Sequence, residues 1–142
     1  MPQDITIHVQ TLVEAAERVI ETLSTHDALA LHGRDDVVFV DLRDIRELHR
    51  EGRVPGAFHC PRGMLEFWID PQSKYHKPIF AADKRFVFFC AAGQRSALAA
   101  ETAQREIFPR DIRGSPAIPR PECRRRRAPA PCLCPRCPAP AA

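Results

Sequence analysis

Val37-Val38-Phe39-Val40 and Phe86-Val87-Phe88-Phe89 are continuous apolar runs rather than alternating ones. This is the pattern of short strands buried on both faces of a parallel sheet, the second starting at Arg85 behind a polar Asp83-Lys84. Between and around them apolar positions recur at helical spacing. From Val9 to Leu23, Leu12, Ala16, Val19, Ile20 and Leu23 share one face, with Glu14, Glu17, Arg18 and Glu21 largely on the other, which predicts an amphipathic helix packing on the domain or on a second protomer. Ser24 or Thr25 caps a second helix over His26–Leu31, ended by Gly33, with His26 and His32 facing solvent. Asp44 caps a helix through Arg50 that Gly52 stops. Pro55-Gly56 marks a turn into a third strand over Ala57–Cys60. Gly63–Asp70 is a short apolar helix, Pro71–Ala82 a long polar connection, and Ser96–Gln104, rich in helix formers and free of Gly and Pro, a further helix.

Composition adds a boundary that periodicity does not show. Residues 1–108 carry 13 Lys+Arg and 16 Asp+Glu, net −3, whereas residues 109–142 carry 8 Arg and 2 acids, net +6. Nine of the 14 prolines and four of the six cysteines also lie beyond Phe108, so the basic character of the chain belongs to its tail. A segment of Pro, Arg, Ala and Cys cannot bury enough apolar surface to order itself, and disorder is expected there. Cys123, Cys132, Cys134 and Cys137 lack the paired knuckles of a zinc site, so no metal is expected. Arg124–Arg127 has no aromatic interleaving and implies no specific nucleic-acid partner. No apolar stretch reaches the roughly 18–20 residues that span a bilayer, which predicts no membrane association. The N-terminus has neither a basic n-region nor an apolar h-region, and the expected compartment is the cytoplasm.

The chemistry concentrates where the second apolar run ends, at Cys90-Ala91-Ala92-Gly93-Gln94-Arg95-Ser96. A loop between a strand and a helix gathers unpaired backbone N–H groups and the positive end of a helix dipole, which favours an anion at its centre. A cysteine there is held partly as thiolate, the reactive form, with a nearby cation such as Arg95 assisting. Gly93 lets the backbone bend, and small Ala91 and Ala92 keep the loop open. Cys60 follows His59, but neighbours on a strand point to opposite faces, so His59 is not placed to activate it. Cys60 is assigned to packing, with a resolving role toward Cys90 left open.

C-x-x-G-x-R-S after a buried strand resembles the active-site loop of the rhodanese (sulfurtransferase) family. Asp41-Leu42-Arg43 matches that family's D-x-R signature at the end of its first core strand. Glu47-Leu48 followed by Gly52-Arg53-Val54-Pro55-Gly56-Ala57 matches its E-[YL]…G-H-I-P-G-A element, with Arg53 in place of the usual His. The resemblance runs from about Val37 to Gln104. It implies an α/β three-layer sandwich around a central parallel sheet. The organisation is then an N-terminal helical segment over 1–34, a rhodanese-like core over 35–108 and a disordered tail over 109–142.

The resemblance also implies sulfur transfer. Cys90 takes a sulfane sulfur from a small anionic donor such as thiosulfate and passes it from a persulfide to a thiol or cyanide acceptor. Ala91, Ala92, Gly93, Gln94, Arg95 and Ser96 bind the donor, with Arg95 orienting it and Ser96 capping the helix. Asp41 and Arg43 form a structural ion pair. No metal or organic cofactor is implied, and the N-terminal helix is a candidate homodimer contact. Cysteine phosphatases use a related C-x5-R cradle, but Cys90 and Arg95 have only four residues between them, a loop better fitted to one sulfur atom than to a tetrahedral oxyanion.

The family's closing segment, a further strand, an I-x-G-G-x-x-x-W element and a last helix, has no counterpart after Phe108. Phe108–Ile112 offers at most a stub of the strand, and prolines then fall too densely for any buried element. The expectation is that a reading-frame change in GC-rich coding sequence, or a misassembled gene model, has replaced the ending, and translation of the alternative frames tests it. A catalytically weak module that binds an anion or partner without turnover is therefore the competing expectation.

Overall fold

The computed structural model describes residues 3–107 and a two-residue strand at 117–118. The tail predicted to be disordered otherwise lies outside the described residues, with its four cysteines and the Arg124–Arg127 run.

The chain forms α1 (Val9–Glu17), α2 (Thr25–Leu31), β1 (Val37–Asp41), α3 (Ile45–Glu51), β2 (Phe58–His59), α4 (Leu65–Ile69), β3 (Arg85–Phe89), α5 (Gln94–Thr102) and β4 (Ala117–Ile118). Four strands make one parallel sheet in the order β2-β1-β3-β4. Residue alternation divides the core into two layers, because successive side chains leave a strand on opposite faces. Val38, Val40, Phe86 and Phe88 pack on one face with Val13, Ala16 and Ile20 from the N-terminal segment, Leu65 and Ile69 of α4, and the alanines of α5. Phe39, Val87 and Phe89 pack on the other with Leu23 and Ala28. Helices therefore cover both faces, giving an α/β three-layer arrangement.

The central strands β1 and β3 follow the predicted runs, and α3 starts at a full capping box. The Asp44 side chain accepts from the Arg46 N–H, and the Glu47 carboxylate accepts from the Asp44 N–H at 2.8 Å. Gly52 ends α3 at φ +88°, a conformation that glycine takes without a Cβ clash.

Several elements depart from the predictions. The N-terminal helix stops at Glu17 rather than Leu23, and its buried residues are Val13 and Ala16, while Leu12 and Val19 are exposed. Once the helix ends, Ile20 reaches one core layer from the turn that follows and Leu23 reaches the other from the extended chain beyond it. A stripe drawn through one continuous helix therefore selects the wrong neighbours. His32 is half-buried: its Nε2 lies 2.8 Å from the Pro55 carbonyl oxygen and its ring meets Phe39 edge-on. The third strand is reduced to Phe58–His59 at the sheet edge. The polar connection contains a 3-10 turn, Pro78–Ala81, which buries Phe80 in stacked contact with Phe86.

Beyond Phe108, where at most a strand stub at 108–112 was expected, it is Ala117–Ile118 that pairs parallel to Phe88 and Phe89. The prolines at 116 and 119 bracket this pair of residues, and proline is compatible with an edge strand though not with a central one.

Candidate active site

Three strand ends are knitted together where the site lies. Leu42 N–H donates to the Phe89 carbonyl at 3.0 Å, and Cys60 N–H donates to the Asp41 carbonyl at 2.9 Å. Open parallel sheets expose their ligand-binding crevices at this carboxyl edge. Behind it, Arg43 and Asp41 form an ion pair of 2.7 Å with both side chains buried, and Arg43 also donates to the Gly52 carbonyl at 3.0 Å. His59 Nε2 lies 2.7 Å from the Arg43 carbonyl oxygen, so that nitrogen carries the proton. This network braces the loops after β1 and β2.

Cys90 is the first residue beyond β3 and is 7% exposed. The chain turns sharply at Gly93, whose φ of +87° is the left-handed conformation, and this turn points the Gly93 N–H back at Cys90 Sγ, 3.2 Å away. The Ser96 side chain is fully buried. Its hydroxyl donates to the Gly93 carbonyl at 3.0 Å, and its oxygen accepts from the Cys90 thiol at 3.6 Å.

Burial pushes the Cys90 thiol up. The Ser96 hydroxyl and the backbone N–H groups of Ser96, Ala92 and Gly93 outweigh that effect and bring it below the ordinary cysteine value. The loop is thus a cradle of backbone donors for a sulfur anion, with the Arg95 guanidinium beside them.

Two predicted roles change. Ser96 does not cap the helix: Gly93 occupies the cap position, α5 begins at Gln94, and Ser96 lies in the first turn facing the sulfur. Arg95 is not free to meet an anion unaided, since Nη1 and Nη2 donate to the two Glu47 carboxylate oxygens at 2.8 and 2.9 Å. Of the remaining loop residues, Ala92 and Gln94 are exposed and Ala91 is half-buried.

Sequence reasoning did not assign Glu47 to the site. Its signal was local, an acid three residues after an N-capping Asp, which marks a capping box but not a partner 48 residues away. Cys60 and Cys90 are both free thiols. Among the described residues no cluster of three or more His, Cys, Asp or Glu is arranged to hold a metal, and no helix is long and apolar enough to cross a membrane.

A buried cysteine turned into backbone donors at the carboxyl edge of a parallel sheet defines a class of α/β proteins with a cysteine-centred anion loop. Within that class, the sequence pattern of the rhodanese-like domain matches residues 24–114, and the chain belongs to that family. It is 30% identical over 73 residues to mouse thiosulfate sulfurtransferase/rhodanese-like domain-containing protein 3, a match covering 48% of this chain and 46% of the mouse protein. The chain thus spans less than half the length of that relative.

Among solved structures, a protein of unknown function and possible tyrosine phosphatase from Rhodopseudomonas palustris CGA009 is 60% identical. The two superpose with a TM-score of 0.73 over 77% of this chain and 85% of that one. A thiosulfate sulfurtransferase from Pseudomonas aeruginosa is 25% identical with a TM-score of 0.55, over 77% of this chain and 19% of that one.

Proposed function

We propose that the protein is a sulfurtransferase that moves a sulfane sulfur from a small donor to a thiol or cyanide acceptor through a persulfide on Cys90. The observation that carries this reading is the Gly93 N–H aimed at Cys90 Sγ from 3.2 Å, with Ser96 on the same sulfur. The Gly93 N–H favours the thiolate, which is the nucleophile, and the Ser96 hydroxyl, which accepts from the thiol, turns to donate to the sulfur once that proton leaves. With thiosulfate, the Cys90 thiolate attacks the outer sulfur, the donor's S–S bond breaks and its electron pair leaves with sulfite, so the persulfide keeps one negative charge. The acceptor then attacks the outer sulfur of that persulfide and regenerates the thiolate.

Cys90 is the catalytic residue in this scheme. The backbone of Ala92, Gly93 and Ser96 and the Ser96 hydroxyl stabilise the charged sulfur. Ala91 and Gln94 flank the approach, and Arg95 faces the donor as half of an ion pair. The reading takes the cytoplasm as compartment, because a free reactive thiol needs reducing surroundings.

Phosphoryl transfer is the competing reading, favoured by the description of the Rhodopseudomonas neighbour as a possible tyrosine phosphatase. Four residues rather than five separate Cys90 from Arg95, and the guanidinium that would clamp a phosphate is held by Glu47. Both features favour sulfur. The deciding experiment is the intact mass of the purified chain after exposure to sulfane donors, thiosulfate and an alkyl persulfide, beside a Cys90→Ser control and an aryl phosphate hydrolysis assay. Gain of one sulfur by the wild type alone, removed by cyanide, is the expected result. Phosphate release without sulfur gain gives the phosphatase reading, and neither activity gives the binding module.

A further inference from the structure

The apolar stripe of the N-terminal segment is wider than the core it packs on. Part of it, Val13, Ala16 and Ile20, is buried in the layer that holds α5, and Leu23 joins the other layer. The rest faces outward: Ile5, Ile7, Val9, Leu12 and Val19 are 48–65% exposed. They make up five of the nine large apolar residues left exposed among the described residues, and all five fall between positions 5 and 19. Apolar residues scattered singly over a surface need no explanation, but such a concentration does. At these exposures the five offer on the order of 500 Å² of apolar surface. A standard interface takes about 800 Å² from each partner, and roughly 65% of a homodimer interface is apolar, which is nearly the same quantity.

The charge around the stripe narrows what covers it. At 3.6 residues per turn, both acids of α1, Glu14 and Glu17, fall on the half of the helix away from Leu12, where Gln10 donates to Glu14 at 3.2 Å. The Leu12 side of α1 carries no Asp, Glu, Lys or Arg. A membrane surface would call for lysine or arginine flanking the stripe, and a nucleic acid or charged peptide would find no counter-charge on it. A second copy of the same stripe opposes no like charges. The spacing is also symmetric about Leu12, with Val9 and Ala15 three residues to either side and Ile5 and Val19 seven.

We propose that this stripe is the interface of a homodimer in which α1 packs antiparallel on the α1 of a second copy, with the two-fold axis at Leu12. Such an isologous contact sets Leu12 against the partner's Leu12, Val9 against the partner's Ala15 and Ile5 against the partner's Val19. Because α1 lies on α5, the second copy rests behind the helix that starts at the Cys90 loop, and Gln104 Nε2, donating to the Val19 carbonyl at 3.3 Å, ties the far end of that helical segment to the same surface. The inference does not depend on the sulfur-transfer reading.

The test is the mass of the full chain by analytical ultracentrifugation, in reductant so that its cysteines form no cross-links. Wild type is expected to be dimeric at about 50 µM. Leu12→Glu and Leu12→Lys each bring like charges together at the axis. Each is expected to weaken the dimer at least about hundredfold, leaving a monomer with wild-type circular dichroism. Mixing the two variants is expected to restore a dimer to within about tenfold of wild-type affinity, because position 12 of one copy then meets the opposite charge in the other. This arm separates loss of the interface from loss of folding, since misfolded chains do not recombine. A wild-type monomer at that concentration, as when the chain beyond residue 107 covers the stripe, overturns the proposal. So does a dimer that both single variants retain, which puts the interface elsewhere, and so does a mixture that stays monomeric, which removes Leu12 from the axis.

Discussion

Cys60 and Cys90 stand at equivalent places, each one residue beyond a strand of the same parallel sheet and each buried, yet the surroundings drive their thiols in opposite directions. Burial pushes Cys60 up to about 12, and the Glu66 carboxylate adds to the effect against a smaller opposing influence from Arg62. Burial acts on Cys90 in the same sense and is overcome. The next residue decides much of this. Cys60 is followed by Pro61, which has no N–H to offer, and the Cys60 thiol itself donates to the Pro61 carbonyl at 3.8 Å. Cys90 opens a loop whose glycine turns an N–H back onto the sulfur. A buried cysteine is inert or reactive according to the donors aimed at it, not its exposure.

The largest expected effect breaks the comparison outright. Cys90→Ser removes sulfur loading altogether, a loss of roughly a thousandfold or more as for other covalent nucleophiles, while Cys60→Ala leaves loading within about twofold and costs about 1–2 kcal/mol of stability for the lost packing. Intact mass and thermal unfolding of the two variants measure this.

Gly93→Ala comes next. A Cβ at φ +87° costs about 1–2 kcal/mol, and relaxing the turn swings the N–H off the sulfur. Loading is expected to fall about tenfold, with the fold intact by circular dichroism.

Ser96→Ala removes one side-chain hydrogen bond and leaves the backbone donors. The Cys90 midpoint is expected to rise, with a severalfold slower reaction at pH 7. Alkylation rate against pH reads this shift.

The smallest effect concerns stability in alkali. The folded-state value of Cys60 is raised, so its contribution is fully present below the ordinary cysteine value of 9.0 and is lost as pH rises from there toward about 12. Cys60→Ala should flatten the fall of wild-type stability over that window, as read by denaturant midpoints at stepped pH.

The elements legible in the sequence are those specified by local chemistry. Val37–Val40 and Arg85–Phe89 are strands because continuous β-branched and aromatic runs suit a sheet covered on both faces. The Asp44 cap and the Gly52 stop are residue-by-residue signals. What stayed hidden depends on distant partners. Leu12 and Val19 fit a helical stripe, but α1 turns its Val13–Ala16 side to the core and leaves Leu12 exposed, and Val19 lies beyond the helix end at Glu17. Ala117–Ile118 carries little strand signal of its own and is a strand through pairing with Phe88 and Phe89.

The site divides in the same way. The loop from Cys90 to Ser96 could be picked out by its residue types and its place between strand and helix. The two corrections, Ser96 facing the sulfur and Arg95 bound by Glu47, follow from where Gly93 starts the helix and from a contact between residues 47 and 95. No spacing rule supplies either one.

The measurement that tests the central claim most directly is peptide-resolved alkylation of the native chain by iodoacetamide across pH 5 to about 10. Of Cys60 and Cys90, the account predicts that only Cys90 is modified, with a midpoint below the ordinary cysteine value, and that Cys60 stays unmodified throughout. Equal modification of both cysteines, or a Cys90 midpoint at or above that value, would contradict a donor-lined cradle at Cys90.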